Sequence, residues 1–74
     1  MRFPNKQIVE HLREGFPRGC RVELLTMDDP FGPPAGTSGT VIGVDDSGTV
    51  HVNWDNGSTL GVAYGVDSCR RIDE

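Results

Sequence analysis

Apolar residues follow two different rhythms along these 74 residues. In "NKQIVEHLRE", residues 5 to 14, Ile8, Val9 and Leu12 recur at helical spacing, which predicts one short helix with a single apolar face. Asn5 is the expected N-cap, because its side-chain oxygen can accept a free N–H of the first turn. Gly15 and Pro17 end the helix, and Phe3 is placed to pack back on Val9. A helix of about ten residues is marginal in water on its own, so it must rest on the remainder of the chain.

From Cys20 onward the period is two. In "CRVEL", Cys20, Val22 and Leu24 share one side while Arg21 and Glu23 take the other. In "GTVIGV", Val41 and Val44 break the alternation around Gly43, which predicts a β-bulge. In "TVHVNW", Val50, Val52 and Trp54 keep phase, so Trp54 is expected in the core and His51 and Asn53 outside. "STLGV" pairs Leu60 with Val62, and "SCRRI" offers Cys69 and Ile72. The turns agree with this spacing. "DDSG" at 45–48 and "DNG" at 55–57 connect strands tightly, and Asn56-Gly57 predicts a type I′ hairpin. "AYGVD" reads as a short turn. "MDDPFGPPAGTSGT", residues 27–40, carries Pro30, Pro33 and Pro34 and reads as a rigid crossover between the first two strands. The fold class is mainly β: five short strands preceded by one short N-terminal α-helix. So small a sheet leaves open edges unless it curls into a barrel.

Composition sharpens this picture in three ways. Ten glycines and five prolines suit tight turns between short elements, within one small domain over residues 1–74. Cys20 and Cys69, the two cysteines, make no secreted disulfide framework; no signal-like h-region or membrane-length apolar run occurs. The expectation is a cytoplasmic protein with reduced thiols. The net charge of -4 is unevenly spread: Arg2, Lys6, Arg13, Arg18 and Arg21 lie early, Arg70 and Arg71 late, and no Lys or Arg falls between. Basic ends and acidic loops follow.

Three phrases, "FPRGCRVELLTMDDP", "GTSGTVIGVDDSGTVHVNWDNGSTLGV" and "GVDSCRRI", resemble a small bacterial family, domain-of-unknown-function family 4314. The resemblance covers nearly the whole chain, with "MDDP" and "HVNWDNGS" its most specific parts. The middle block is also similar to SH3-like barrels. The resemblance implies a five-stranded SH3-like barrel at about 19–73 with an added helix at about 5–14. It also implies bacterial origin, with relatives carried on phages and other mobile elements. It brings no activity, cofactor or catalytic residue, and fold alone licenses no function.

The chemistry-bearing residues fit no catalytic pattern. There is no Ser–His–Asp order, G-x-S-x-G or H-E-x-x-H, and His11 and His51 read as surface histidines. Cys20, Cys69, His11 and His51 lack zinc-site spacing, and "DDSG" lacks the alternating carboxylates of a calcium loop. "GVDDSG" and "GTSGT" lack the P-loop lysine. The expectation is therefore a non-enzyme without metal or cofactor that binds a protein partner through Asp28, Asp29, Phe31 and Tyr64. The acidic first loop is like that of peptide-binding SH3 domains, but Trp54 falls elsewhere than their ligand-gripping Trp. The alternative is phosphate contact by a basic patch of Arg21, Arg70 and Arg71, near Arg13 and Lys6. Against it stands surface pairing of these arginines with Glu23, Glu10 and Glu14.

Overall fold

Asn5 caps the helix as its side chain predicts: in a computed structural model, which describes residues 5–73, its Oδ1 accepts the N–H of Ile8 at 2.9 Å. Helix α1 spans Lys6–Gly15, with Val9 buried and Ile8 and Leu12 half-buried on the same side. The expected contact of Phe3 lies outside the described residues. Strands β1 (Arg21–Thr26), β2 (Ser38–Val44), β3 (Thr49–Trp54), β4 (Val62–Ala63) and β5 (Ser68–Arg71) follow in chain order. They form one antiparallel sheet in the order β4-β3-β2-β1-β5. The mainly-β reading with one short helix holds.

The inner face of the sheet carries the core. Cys20, Val22, Leu24, Val41, Val50, Val52, Trp54 and Val62 are buried together, and Phe16, Met27, Val44 and Cys69 pack against them. These are the in-phase residues of the alternating runs. The bulge lies where alternation breaks: Val41 pairs with Val52 and Gly43 with His51, so Ile42 is the extra residue and Val44 returns to face Val50. Gly39 pairs with Trp54 and is buried beneath it; a Cβ there would come within 2.9 Å of Trp54 Cε3.

Four expectations are corrected. First, Asn56-Gly57 is no type I′ turn, because no described residue other than glycine has a positive φ. Both hairpins use one design instead. Gly48 N donates to Asp45 O and Gly57 N to Trp54 O, each glycine with positive φ; Asp45 N–Thr49 O and Trp54 N–Ser58 O bonds then close the loops. Such three-residue loops need one left-handed residue rather than two. Second, "STLGV" is not a strand. Only Val62–Ala63 pairs, and Leu60 is exposed. Third, the long loop between the first two strands is shorter than residues 27–40, because Ser38, Gly39 and Thr40 already pair with β1, and Leu24 N–Thr37 O and Gly36 N–Leu24 O bonds extend that pairing. Fourth, Ile72 is exposed rather than in the core.

The sheet is not closed into a ring. It ends at β4 and β5, which do not pair with each other. A two-residue β4 offers too short a ladder for closure. What joins this corner is a side chain, Asp67, described below.

Candidate functional site

The acidic segment of the β1–β2 loop is held by its own backbone. Asp29 Oδ1 accepts the N–H of Phe31 at 2.8 Å, and the Asp29 carbonyl accepts the N–H of Gly32 at 3.0 Å. This is what an aspartate does at the head of a tight turn. Pro33 is buried and Met27 packs toward the core, so the loop is anchored from beneath. Gly32 leaves room for this, since a Cβ there would run into Met27 Sδ. Between these anchors Phe31 projects with 90% of its surface exposed.

Asp67 ties the loop to the far corner of the sheet. Its Oδ1 accepts the N–H of Asp28 at 2.8 Å and its Oδ2 the N–H of Ala63 at 3.1 Å. One carboxylate thus bridges the β1–β2 loop and β4, where the strands share no ladder. Sequence reading missed this role, because no local pattern marks a residue that bonds two distant backbones. The side chain of Tyr64 goes elsewhere. It lines a groove of about 300 Å³ beside α1 with Ile8, His11 and Leu12, and a hollow of about 260 Å³ with Leu12, Phe16, Val62 and Cys69. Asp28, Asp29 and Phe31 therefore lie together on one loop, and Tyr64 lies on the helix side.

The arginine trio lies on the neighbouring strands β1 and β5, and each member is paired with a carboxylate. Arg21 makes a two-pronged pair with Asp55 at 2.9 and 2.6 Å and also reaches Thr40 Oγ1 at 3.0 Å. Arg70 pairs with Glu23 at 2.7 Å, and Arg71 with Asp73 at 2.6 Å. Val22 stands opposite Arg71 and Glu23 opposite Arg70, so Arg70 shares the outer face with Glu23 while Arg71 takes the inner side of the sheet edge. Arg13 is more distant still. It donates to Val44 O and Asp46 at the β2–β3 hairpin, whereas Asp55 lies just beyond the other end of β3. Pairing with Glu23 was legible; Asp46 and Asp55 were not, because packing of the helix on the sheet brings the first to Arg13 and strand register brings the second to Arg21, while Asp73 lies only two residues beyond Arg71. The Arg21 guanidinium holds the Asp55 carboxyl below its ordinary range, and Arg71 does the same to Asp73.

His51 is not free on the surface. Its Nε2 lies 2.8 Å from Asp45 Oδ2. Asp45 Oδ1 meanwhile accepts the Ser47 hydroxyl at 2.6 Å and the N–H groups of Ser47 and Thr49 at 2.9 and 3.1 Å. These bonds, that from the Ser47 hydroxyl first and His51 second, hold the Asp45 carboxyl far below its ordinary range. Ser, Asp and His do meet here, but in the wrong order for nucleophilic catalysis. The carboxylate sits between hydroxyl and imidazole, so the imidazole cannot take the hydroxyl proton. The cluster builds a hairpin.

The thiols are free, Cys20 buried and Cys69 half-buried. Burial is the main reason that both are raised, Cys69 to about 11. Among the described residues no three His, Cys, Asp or Glu side chains are grouped to hold a metal ion, and no helix is long and apolar enough to cross a membrane.

No curated protein and no solved structure matches this chain. A family model does match, over residues 5–72, which takes in the helix, all five strands and the loop that carries Phe31. The chain belongs to the family described as Domain of unknown function (DUF4314).

Proposed function

We propose that this domain is a non-enzymatic interaction module that binds a protein partner through the β1–β2 loop, with Phe31 as the anchor and Asp28 and Asp29 beside it. The observation that carries the reading is the 90% exposure of Phe31 on a loop whose backbone is already held by Asp29 and Asp67. A large aromatic group left in water contributes nothing to the fold, yet it can bury most of its surface in a partner's pocket. A loop ordered before binding loses little further freedom on binding. The carboxylates add a preference for a basic surface and faster encounter with it. Phosphate contact through Arg21, Arg70 and Arg71 gains no support, since each guanidinium already holds a carboxylate.

The test is affinity capture from the native host with wild-type protein, Phe31→Ala, and Asp28→Lys combined with Asp29→Lys. Circular dichroism confirms that each variant is folded. A partner retained by wild type and lost by Phe31→Ala supports the reading. The same partners on all three proteins would sink it.

A further inference from the structure

Asn56-Gly57 is the chain's one Asn-Gly pair, and both residues are exposed at the tip of the β3–β4 connection. Glycine after asparagine leaves its backbone nitrogen unshielded by a side chain, and that nitrogen can attack the asparagine Cγ. The structure opposes this attack twice. The Gly57 N–H is committed to Trp54 O at 3.0 Å, and Asn56 Oδ1 accepts the N–H of Ser58 at 3.0 Å. The nucleophile and the amide it would attack are thus both fixed within the same closed loop, which the Trp54 N–Ser58 O bond of 2.9 Å completes.

We propose that Asn56 is a site of spontaneous deamidation gated by opening of this hairpin loop, and that its isoaspartate product cannot restore the closed loop. In the opened loop the Gly57 nitrogen loses its proton to solvent base and bonds to Asn56 Cγ. The Cγ–Nδ2 bond breaks and ammonia leaves with a proton from water, giving a five-membered imide. Water then opens the ring. Cleavage of the bond from Gly57 N to the former side-chain carbonyl yields aspartate. Cleavage of the bond to the former main-chain carbonyl yields isoaspartate. No electron transfer is involved, and water is the co-reactant.

The two products differ in what they do to the fold. Aspartate keeps the backbone and adds a charge next to Asp55. Isoaspartate inserts a methylene into the main chain of a three-residue loop, so the bonds from Gly57 N to Trp54 O and from Trp54 N to Ser58 O cannot both reform. Asp55, which leads into this loop and holds Arg21 with both oxygens, then loses its fixed position. The modification therefore acts on the link between this loop and β1.

The experiment compares folded protein, protein unfolded in urea and the peptide Trp-Asp-Asn-Gly-Ser in one mildly alkaline buffer. Peptide-mapping mass spectrometry follows the exchange of the Asn56 amide for a carboxyl. Peptide and unfolded chain should react alike, and the folded protein about tenfold or more slowly, as loss of one or two loop hydrogen bonds before reaction implies. Equal rates in folded protein and peptide would overturn the gating, and an inert peptide would overturn the site. The isoaspartate form is then separated by ion exchange and its melting temperature compared with that of Asn56→Asp. A lower value for isoaspartate is expected; equal values would overturn the claim about loop closure.

Discussion

The indole Nε1 of Trp54 donates to the backbone carbonyl of Leu60 at 2.8 Å, while only 2% of Trp54 is exposed. This one bond reconciles two facts about the chain after β3. A tryptophan in phase with the core needs a partner for its polar tip. Leu60 supplies a main-chain acceptor to the indole, in a stretch that pairs with no strand before Val62.

Trp54→Phe should therefore remove both the donor and part of the core volume. The expected cost is about 2–3 kcal/mol, a lost hydrogen bond added to a partly filled cavity. Thermal unfolding by circular dichroism should show a drop on the order of 10 °C or more for a domain of this size. In the wild type, this single tryptophan should emit as a buried indole and resist quenching by acrylamide until the domain unfolds. Solvent-like emission from the native protein would contradict the placement.

Gly39→Ala should destabilise the sheet from its centre. The added Cβ would meet Val52 Cγ1 at 2.6 Å, Asn53 O at 2.9 Å and Trp54 Cε3 at 2.9 Å. Two of these neighbours are buried side chains and the third is backbone, so relief requires movement of β3. A cost of about 1–3 kcal/mol is expected, as for other overpacked cores. Urea denaturation checks it, and an unchanged midpoint would show that the strands can separate freely.

Asp45→Ala should loosen the β2–β3 hairpin by about 1–2 kcal/mol, since the carboxylate receives bonds from Ser47, Thr49 and His51. The pH dependence has a definite sign. The folded carboxyl lies below its unfolded value of 3.8, so its contribution is complete above that pH. It declines as the pH falls from 3.8 toward the folded value. The side chain is 42% exposed, which keeps the effect modest. Acid unfolding curves of wild type and variant should converge at low pH. Curves that stay parallel would contradict the assignment.

Cys20 and Cys69 should not form a disulfide with one another in the folded protein. Cys69 stands opposite Leu24, and Cys20 lies four residues before Leu24, about 13 Å along an extended strand. A disulfide needs Cα atoms within about 7 Å. A thiol reagent should label both slowly in the native state and quickly in urea, because burial raises both thiols and takes Cys69 to about 11. A rapid native reaction, or an oxidant-induced internal crosslink, would show that β1 and β5 separate readily.

The core was legible because it depends on local alternation. Val22, Leu24, Val50, Val52 and Trp54 occupy every second position of their strands, and the break between Val41 and Val44 located the bulge. The helix and its Asn5 cap were legible for the same reason: cap and face lie within one turn of each other. The candidate site was legible in part. Asp28, Asp29 and Phe31 are adjacent in sequence and stay adjacent in space, whereas Tyr64 was grouped with them by residue type alone and belongs beside α1.

The sequence by itself determined which residues point inward, where the chain turns, and that Pro30, Pro33 and Pro34 keep the first long loop out of the ladder. Each of these follows from side-chain direction or backbone freedom within a few residues. Only the tertiary structure decided the rest. Strand register brought Arg21 to Asp55, Arg70 to Glu23 and His51 to Asp45, pairing charges that composition alone left unmatched. Asp67, not a ladder, joined the Asp28 loop to β4, and both hairpins settled on one left-handed glycine apiece. The pairs of Arg21 and Arg70 and the Asp67 link to Asp28 rest on contacts between residues far apart in the chain, whose distances no local periodicity encodes, whereas the hairpin loops are local and the same residues allow more than one turn.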